Sequence, residues 1–249
     1  MVACMIFFKI LWNEFKKEFF NTWSYRWQWI YEFISLFAFF FFLNMFAGQA
    51  ETGIAYCIWF YSVLIIGDVS GKVSSEMRAG TFEQLYLSSV SIPILFLSKA
   101  ITSICRALII VTLFLMLFGV FGYVTLSFLN YKIIYILISI TPGLFGISLF
   151  IGGMTILFKD TNWLINIINN SFLFLSGIFL PLNSLSEEVQ KIALILPVTQ
   201  AIKALNQSTF FTTDLMLMTI TNICYFTIGL CCFYLFEKRA KMKGVLGYY

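Results

Sequence analysis

Residues 132–158 read Lys132-Ile-Ile-Tyr-Ile-Leu-Ile-Ser-Ile-Thr-Pro-Gly-Leu-Phe-Gly-Ile-Ser-Leu-Phe-Ile-Gly-Gly-Met-Thr-Ile-Leu-Phe158. No charged residue follows Lys132 in this run, and as an α-helix it would extend about 40 Å at 1.5 Å per residue. A bilayer's hydrocarbon core is about 30 Å thick and asks for about 20 consecutive apolar residues. Five further apolar runs, at 29–47, 53–71, 93–123, 163–180 and 215–236, complete an expectation of six transmembrane helices in an all-α fold. The composition agrees: 60% of the chain is hydrophobic, 11% is charged, 30 residues are Phe, and the mean hydropathy is +0.90. Soluble domains run at about 45–50% apolar and about 25% charged. A globule of this size could not hide so much apolar surface from water.

The cations sit in short clusters beside the apolar runs. Lys9, Lys16, Lys17 and Arg26 precede the first run. Lys72, Arg78 and Lys99 flank the loop between the second and third, Lys159 lies between the fourth and fifth, and Lys238, Arg239, Lys241 and Lys243 follow the last. Only Lys132, Lys191 and Lys203 fall on the opposite side. Lys and Arg concentrate in cytoplasmic loops, so both termini are expected in the cytoplasm, as an even number of spans requires. The chain is expected to be a multi-pass protein of a plasma membrane, of bacterial type. No basic stripe with interleaved aromatics points to nucleic acid.

Several chemistries are excluded. The chain has no His, and its six Cys form no CxxC pair, so zinc ligation and Ser/His or Cys/His nucleophiles are not expected. No GxxxxGK[ST] loop is present, so the chain does not bind ATP in the usual way. No catalytic residue, metal or cofactor is assigned to it. A cleavable signal peptide is not expected either, because no charged region precedes the apolar 1–8 stretch and no small-residue cleavage site follows. The whole chain, 1–249, reads as a single membrane domain.

Three segments within it are not simple spans. In the first, 1–27, Phe7, Ile10, Leu11, Phe15, Glu18, Phe19 and Thr22 fall largely at three- and four-residue steps, with Lys9, Asn13, Lys16 and Lys17 opposite. This predicts an amphipathic helix at the cytoplasmic interface, followed by an aromatic belt of Trp23, Tyr25, Trp27 and Trp29. In the second, the loop 72–92, Gly80 permits a sharp turn, and Thr81 with Gln84 forms a capping box. A short helix is expected from Phe82, with Phe82, Leu85 and Tyr86 on a face that needs a cover. In the third, 181–211, Ser184 with Glu187 is a second capping box, Pro197 is expected to end the helix it starts, and a further short helix is expected over 199–206. These pieces are too short to cross and are read as re-entrant or lying on the outer surface.

Within the spans, Asn162, Asn166 and Asn169 fall at i, i+4 and i+7, with Asn170 adjacent, making a polar stripe. Amides in hydrocarbon need partners. The stripe fits a translocation path, an interface with a paired subunit, or hydrogen bonds between helices of one chain. Glu32 and Asp68 sit near membrane ends, where ionisable groups are functional candidates. Lys99 and Arg106 share a face of the third span and are expected to snorkel to the cytoplasmic side. Gly67 and Gly71 fit a GxxxG close-packing signal.

The run Gly80-Thr-Phe-Glu-Gln-Leu-Tyr-Leu-Ser-Ser-Val-Ser, with Lys99 shortly after, resembles the first cytoplasmic loop of type-2 ABC exporter permeases, with Ser89 in place of that family's usual Pro. Ser176-Gly-Ile-Phe-Leu-Pro-Leu-Asn and Leu194-Ile-Leu-Pro-Val-Thr-Gln-Ala-Ile-Lys-Ala-Leu resemble the same family around its fifth span and outer helices. The resemblance implies that two permease copies, a homodimer, pair with cytoplasmic ATPase subunits that bind ATP and Mg. The ATPase would contact Gly80, Thr81, Phe82, Glu83, Gln84, Leu85 and Tyr86, with the N-terminal helix near it. Hydrolysis would then drive export of an amphiphile: a drug, a peptide, a lipid or a lipid-linked glycan. The alternatives are an energy-independent channel or secondary carrier, and a non-transporting membrane protein. Few charges in the spans and no inverted repeat weigh against a channel or carrier.

Overall fold

The computed structural model describes residues 2–47, 52–78, 80, 92–121, 131–158, 160–179, 181–206 and 213–243. Among these the chain is helical, with no strand. The helices are α1 (Val2–Ser24), α2 (Arg26–Ala47), α3 (Thr52–Arg78), α4 (Ile92–Val120), α5 (Tyr131–Phe158), α6 (Asn162–Leu175), α7 (Glu187–Ala193), α8 (Pro197–Leu205) and α9 (Thr213–Lys243). A 3-10 turn, Leu182–Ser184, precedes α7. Among the described residues, four helices are long and apolar enough to cross a membrane, at Gly53–Arg78, Leu97–Val120, Lys132–Phe158 and Asp214–Met242. The 22 residues of α2 rise about 33 Å, whereas the 14 of α6 rise about 21 Å.

The central helix is α3. Its membrane window is 72% buried against 22% for α9, because α2, α4, α5, α6 and α8 all pack on it. An aromatic cluster fills the α2–α3–α4 junction: Phe40 lies 4.0 Å from Phe118, Phe33 4.3 Å from Phe114, and Phe60 5.3 Å from Phe114, between ring centroids. Such pairs add about 0.5–1.5 kcal/mol each beyond area burial. Neighbouring helices are also joined by hydrogen bonds that lipid cannot supply. The Tyr56 hydroxyl donates to the Leu36 carbonyl at 2.9 Å, Trp59 Nε1 to the Asn169 carbonyl at 3.0 Å, and the Tyr61 and Thr141 hydroxyls share a bond of 2.7 Å.

Among the described residues, α5 and α9 run parallel and approach backbone to backbone. A Cβ at Gly229 would fall 2.6 Å from the Gly146 Cα and closer still to its carbonyl oxygen, and one at Gly153 would meet Phe233 and Phe236. Backbone-to-backbone contact of this kind admits only glycine. At Gly67 and Gly71 nothing lies within 4 Å of a Cβ, so that GxxxG pair is not a packing seam within the chain. The seam lies instead in the glycines of the 132–158 run.

Several expected boundaries shift. The second span continues to Arg78 because Asp68, Lys72 and Glu76, which interrupt its hydropathy, find partners on other helices. The run 163–180 is helical only to Leu175: the Ser176 hydroxyl donates to the Leu173 carbonyl, and Gly177, at φ 90°, turns the chain. Pro197 does not terminate α7, which stops at Ala193. It opens α8 at the first helical turn, where its missing N–H is no loss. The Ser184 hydroxyl bonds the Pro181 carbonyl rather than capping a helix, and Ser186 is the N-cap residue of α7.

Candidate functional site

Three helices bring their charged residues together at one end of the molecule. Asp68, Lys72 and Glu76 stand at four-residue steps on α3, one above the other. Lys99, Ser103 and Arg106, at steps of four and three residues, share a face in the first half of α4, and Glu18 comes from α1. Arg106 forks between two helices, donating from Nη1 to Glu18 Oε1 at 2.9 Å and from Nη2 to Asp68 Oδ1. Lys72 Nζ lies 3.2 Å from Asp68 Oδ2 and 3.5 Å from Glu18 Oε2, and donates to Ser103 Oγ at 2.9 Å. The Lys72–Asp68 contact is an ion pair without hydrogen-bond geometry. Lys99, 4% exposed, holds Glu76 Oε1 at 2.5 Å, and Lys17 reaches the same oxygen at 3.8 Å.

Three carboxylates (Glu18, Asp68, Glu76) thus meet three inner cations (Lys72, Lys99, Arg106), with Lys17 at the rim. Balance is what makes the cluster tolerable, since an uncompensated charge at this depth costs several kcal/mol. The arrangement fixes the rotation of α1 and binds it to α3 and α4. It also differs from the expectation for Lys99 and Arg106, which turn to partly buried acids instead of snorkelling. The signal was present in the spacing of Asp68, Lys72 and Glu76. Their partners on the other helices lie 23 to 59 residues away, beyond the reach of local pattern.

The cluster stands where α3 hands over to the loop. Gly80 takes φ 66°, and its N–H donates to the Met77 carbonyl at 3.1 Å. Thr81, Phe82, Glu83, Gln84, Leu85 and Tyr86, together with the capping box and short helix expected there, lie outside the described residues. At this same end the tail of α9 packs its Ala240 with Val73, Met77 and Ile156. Lys203 and Asp214 pair at 3.3 Å at the opposite end.

On α6, Asn162, Asn166 and Asn170 are exposed along one face with Trp163, Ile167 and Phe174. Asn169 is half-buried against α3. Its backbone carbonyl takes the Trp59 indole, while its side-chain Oδ1 is buried without a hydrogen bond.

A bundle of membrane-length helices with apolar flanks, a largely buried charge cluster at one end and short helices at the other is the build of a multi-pass membrane protein. Residues 6–211 match the ABC-2 type transporter family, and the chain belongs to that family: it is an ABC-type permease subunit. Members of this family work in the membrane with an ATPase partner, and the permease itself is not the catalyst. No curated protein matches the sequence.

Proposed function

We propose that this permease exports an amphiphilic substrate from the cytoplasm, energised by a separate ATPase subunit docked on residues 80–86. The ion-pair cluster carries the proposal. It joins α1, α3 and α4 into one body directly above the Gly80 turn, so force on the loop would move three helices together rather than fray one. In this reading α2 and α6 complete six spans, and both termini face the cytoplasm. The common placement of α1, the Arg78 end of α3 and the tail of α9 supports that topology. A second copy covers the exposed Asn162–Asn166–Asn170 face, where amides left in lipid would lack partners. Export, rather than uptake, follows from the resemblance of the Gly80–Tyr86 loop to exporter permeases. The test is a mild-detergent pull-down of the tagged chain from its host, repeated with Glu83→Arg and Phe82→Asp. A stoichiometric ATPase with wild type, lost in both variants, is the expected result. If a folded wild-type chain brings down no ATPase, the reading fails.

A further inference from the structure

The amphipathic N-terminal helix does not bury the apolar face it has to spare. At 3.6 residues per turn, α1 divides into three sectors. Phe7, Leu11, Glu14, Glu18 and Thr22 point inward, all at least partly covered, and the Glu18 bonds to Arg106 and Lys72 hold that rotation. Next, within about 80° of helix surface, Phe8, Trp12, Phe19 and Trp23 are 63%, 71%, 67% and 64% exposed. Beside these come Lys9 and Lys16, while Lys17 lies on the other flank of the helix, next to Glu76; all three are exposed. Both acids of α1 therefore face the protein, Lys9 and Lys16 face away, and Lys17 is exposed at the rim of the cluster. Arg26 continues the pattern just past Tyr25, stacked 5.8 Å from the Trp23 ring, and Lys16 lies 6.0 Å from the ring of Phe20.

A basic edge of Lys9 and Lys16 next to a row of exposed aromatic rings, on a helix followed directly by the apolar α2, is complementary to an anionic lipid surface. We propose that α1 is a binding site for anionic phospholipids of its own leaflet. The rings of Phe8, Trp12, Phe19 and Trp23 enter the acyl boundary, and Lys9, Lys16 and Lys17 take the headgroup phosphates. Lys17 gives the contact a route inward, because the same ammonium reaches Glu76 of the cluster, four residues before Gly80. A headgroup and Glu76 compete for it. The identity of this leaflet as the cytoplasmic one rests on the topology proposed above; the lipid contact does not, and its test needs no ATPase.

The full chain is reconstituted into phosphatidylcholine vesicles containing about a third brominated lipid, either brominated phosphatidylglycerol or brominated phosphatidylcholine, and tryptophan quenching is compared. The expected result is stronger quenching by the anionic lipid. That preference should shrink in Trp12→Phe, fall with added salt, and vanish in Lys9→Gln/Lys16→Gln/Lys17→Gln. Each cation should contribute about fivefold to the relative association with the anionic lipid. The three lysines are exposed, so the triple variant is expected to fold, with circular dichroism and elution volume as controls. Equal quenching by both lipids in wild type overturns the proposal, as does a preference that survives the triple substitution. If Trp12 is quenched by neither lipid, a protein covers this face and the proposal is likewise wrong.

Discussion

Replacing Arg106 by Met tests whether the charge cluster holds α1 to the bundle. The methionine keeps much of the stem's volume and removes the fork. Glu18 loses a partner at 2.9 Å and Asp68 Oδ1 loses its guanidinium, leaving Lys72, at 3.5 and 3.2 Å, to balance both carboxylates. Removing one partner of a buried pair costs about 3–5 kcal/mol. The side chains here keep between 13% and 20% exposure, and Lys72 remains, so the expected loss is about 3 kcal/mol, the low end of that range. At about 2–4 °C per kcal/mol for a chain of this size, the melting temperature of the purified protein should fall by roughly 6–12 °C. Arg106→Lys keeps the charge without the fork and should lose about half as much. The decisive variant is Arg106→Met combined with Asp68→Asn. It leaves one carboxylate, Glu18, facing one ammonium, Lys72, and should recover most of the loss. Intrinsic-fluorescence melts in detergent read all three. A single variant that melts with wild type, or a double variant that melts lower than the single, would refute the reasoning that balance of charge stabilises the cluster.

The α5–α9 seam predicts that Gly229→Ala and Gly146→Val each lower the melting temperature by several degrees, from overpacking of about 1–3 kcal/mol. Gly67→Ala, with open space around it, should leave the melt unchanged or raise it slightly. Trp59→Phe removes the indole bond to the Asn169 carbonyl and should cost about 1 kcal/mol, read in the same melt. If a second copy covers α6, Asn166→Cys in a background lacking the exposed Cys224 and Cys231 should cross-link between copies under mild oxidation, while a cysteine at Ile223 on the outward face of α9 should not.

Much of this protein was legible from local pattern. Hydropathy is a sum over neighbours along the chain, so the runs at 53–71, 93–123, 132–158 and 215–236 identified their helices without knowledge of any partner. The Lys and Arg asymmetry likewise separated the end that carries the cluster from the end that carries Lys132 and Lys203. The amphipathic period of 7–22 located α1, and five of its seven named positions do turn toward the bundle, at Phe7, Leu11, Phe15, Glu18 and Thr22, with Ile10 half-covered beside them.

Partner choice was not legible. Nothing local says that Glu18 meets an arginine 88 residues on, or that Asp68 and Glu76 extend a helix instead of ending it. A charge lowers the hydropathy sum whether or not a counter-charge awaits it across the bundle. Gly67 and Gly71 carry the same GxxxG spelling that close-packed helices use, yet it is Gly146 and Gly229 that meet backbone to backbone. Spacing records which residues share a face, and tertiary structure decides what that face touches. For the same reason α1 shows a second apolar face: its rotation is set by ion pairs on α3 and α4, and the rings of Phe8, Trp12 and Trp23 are left outside by that choice.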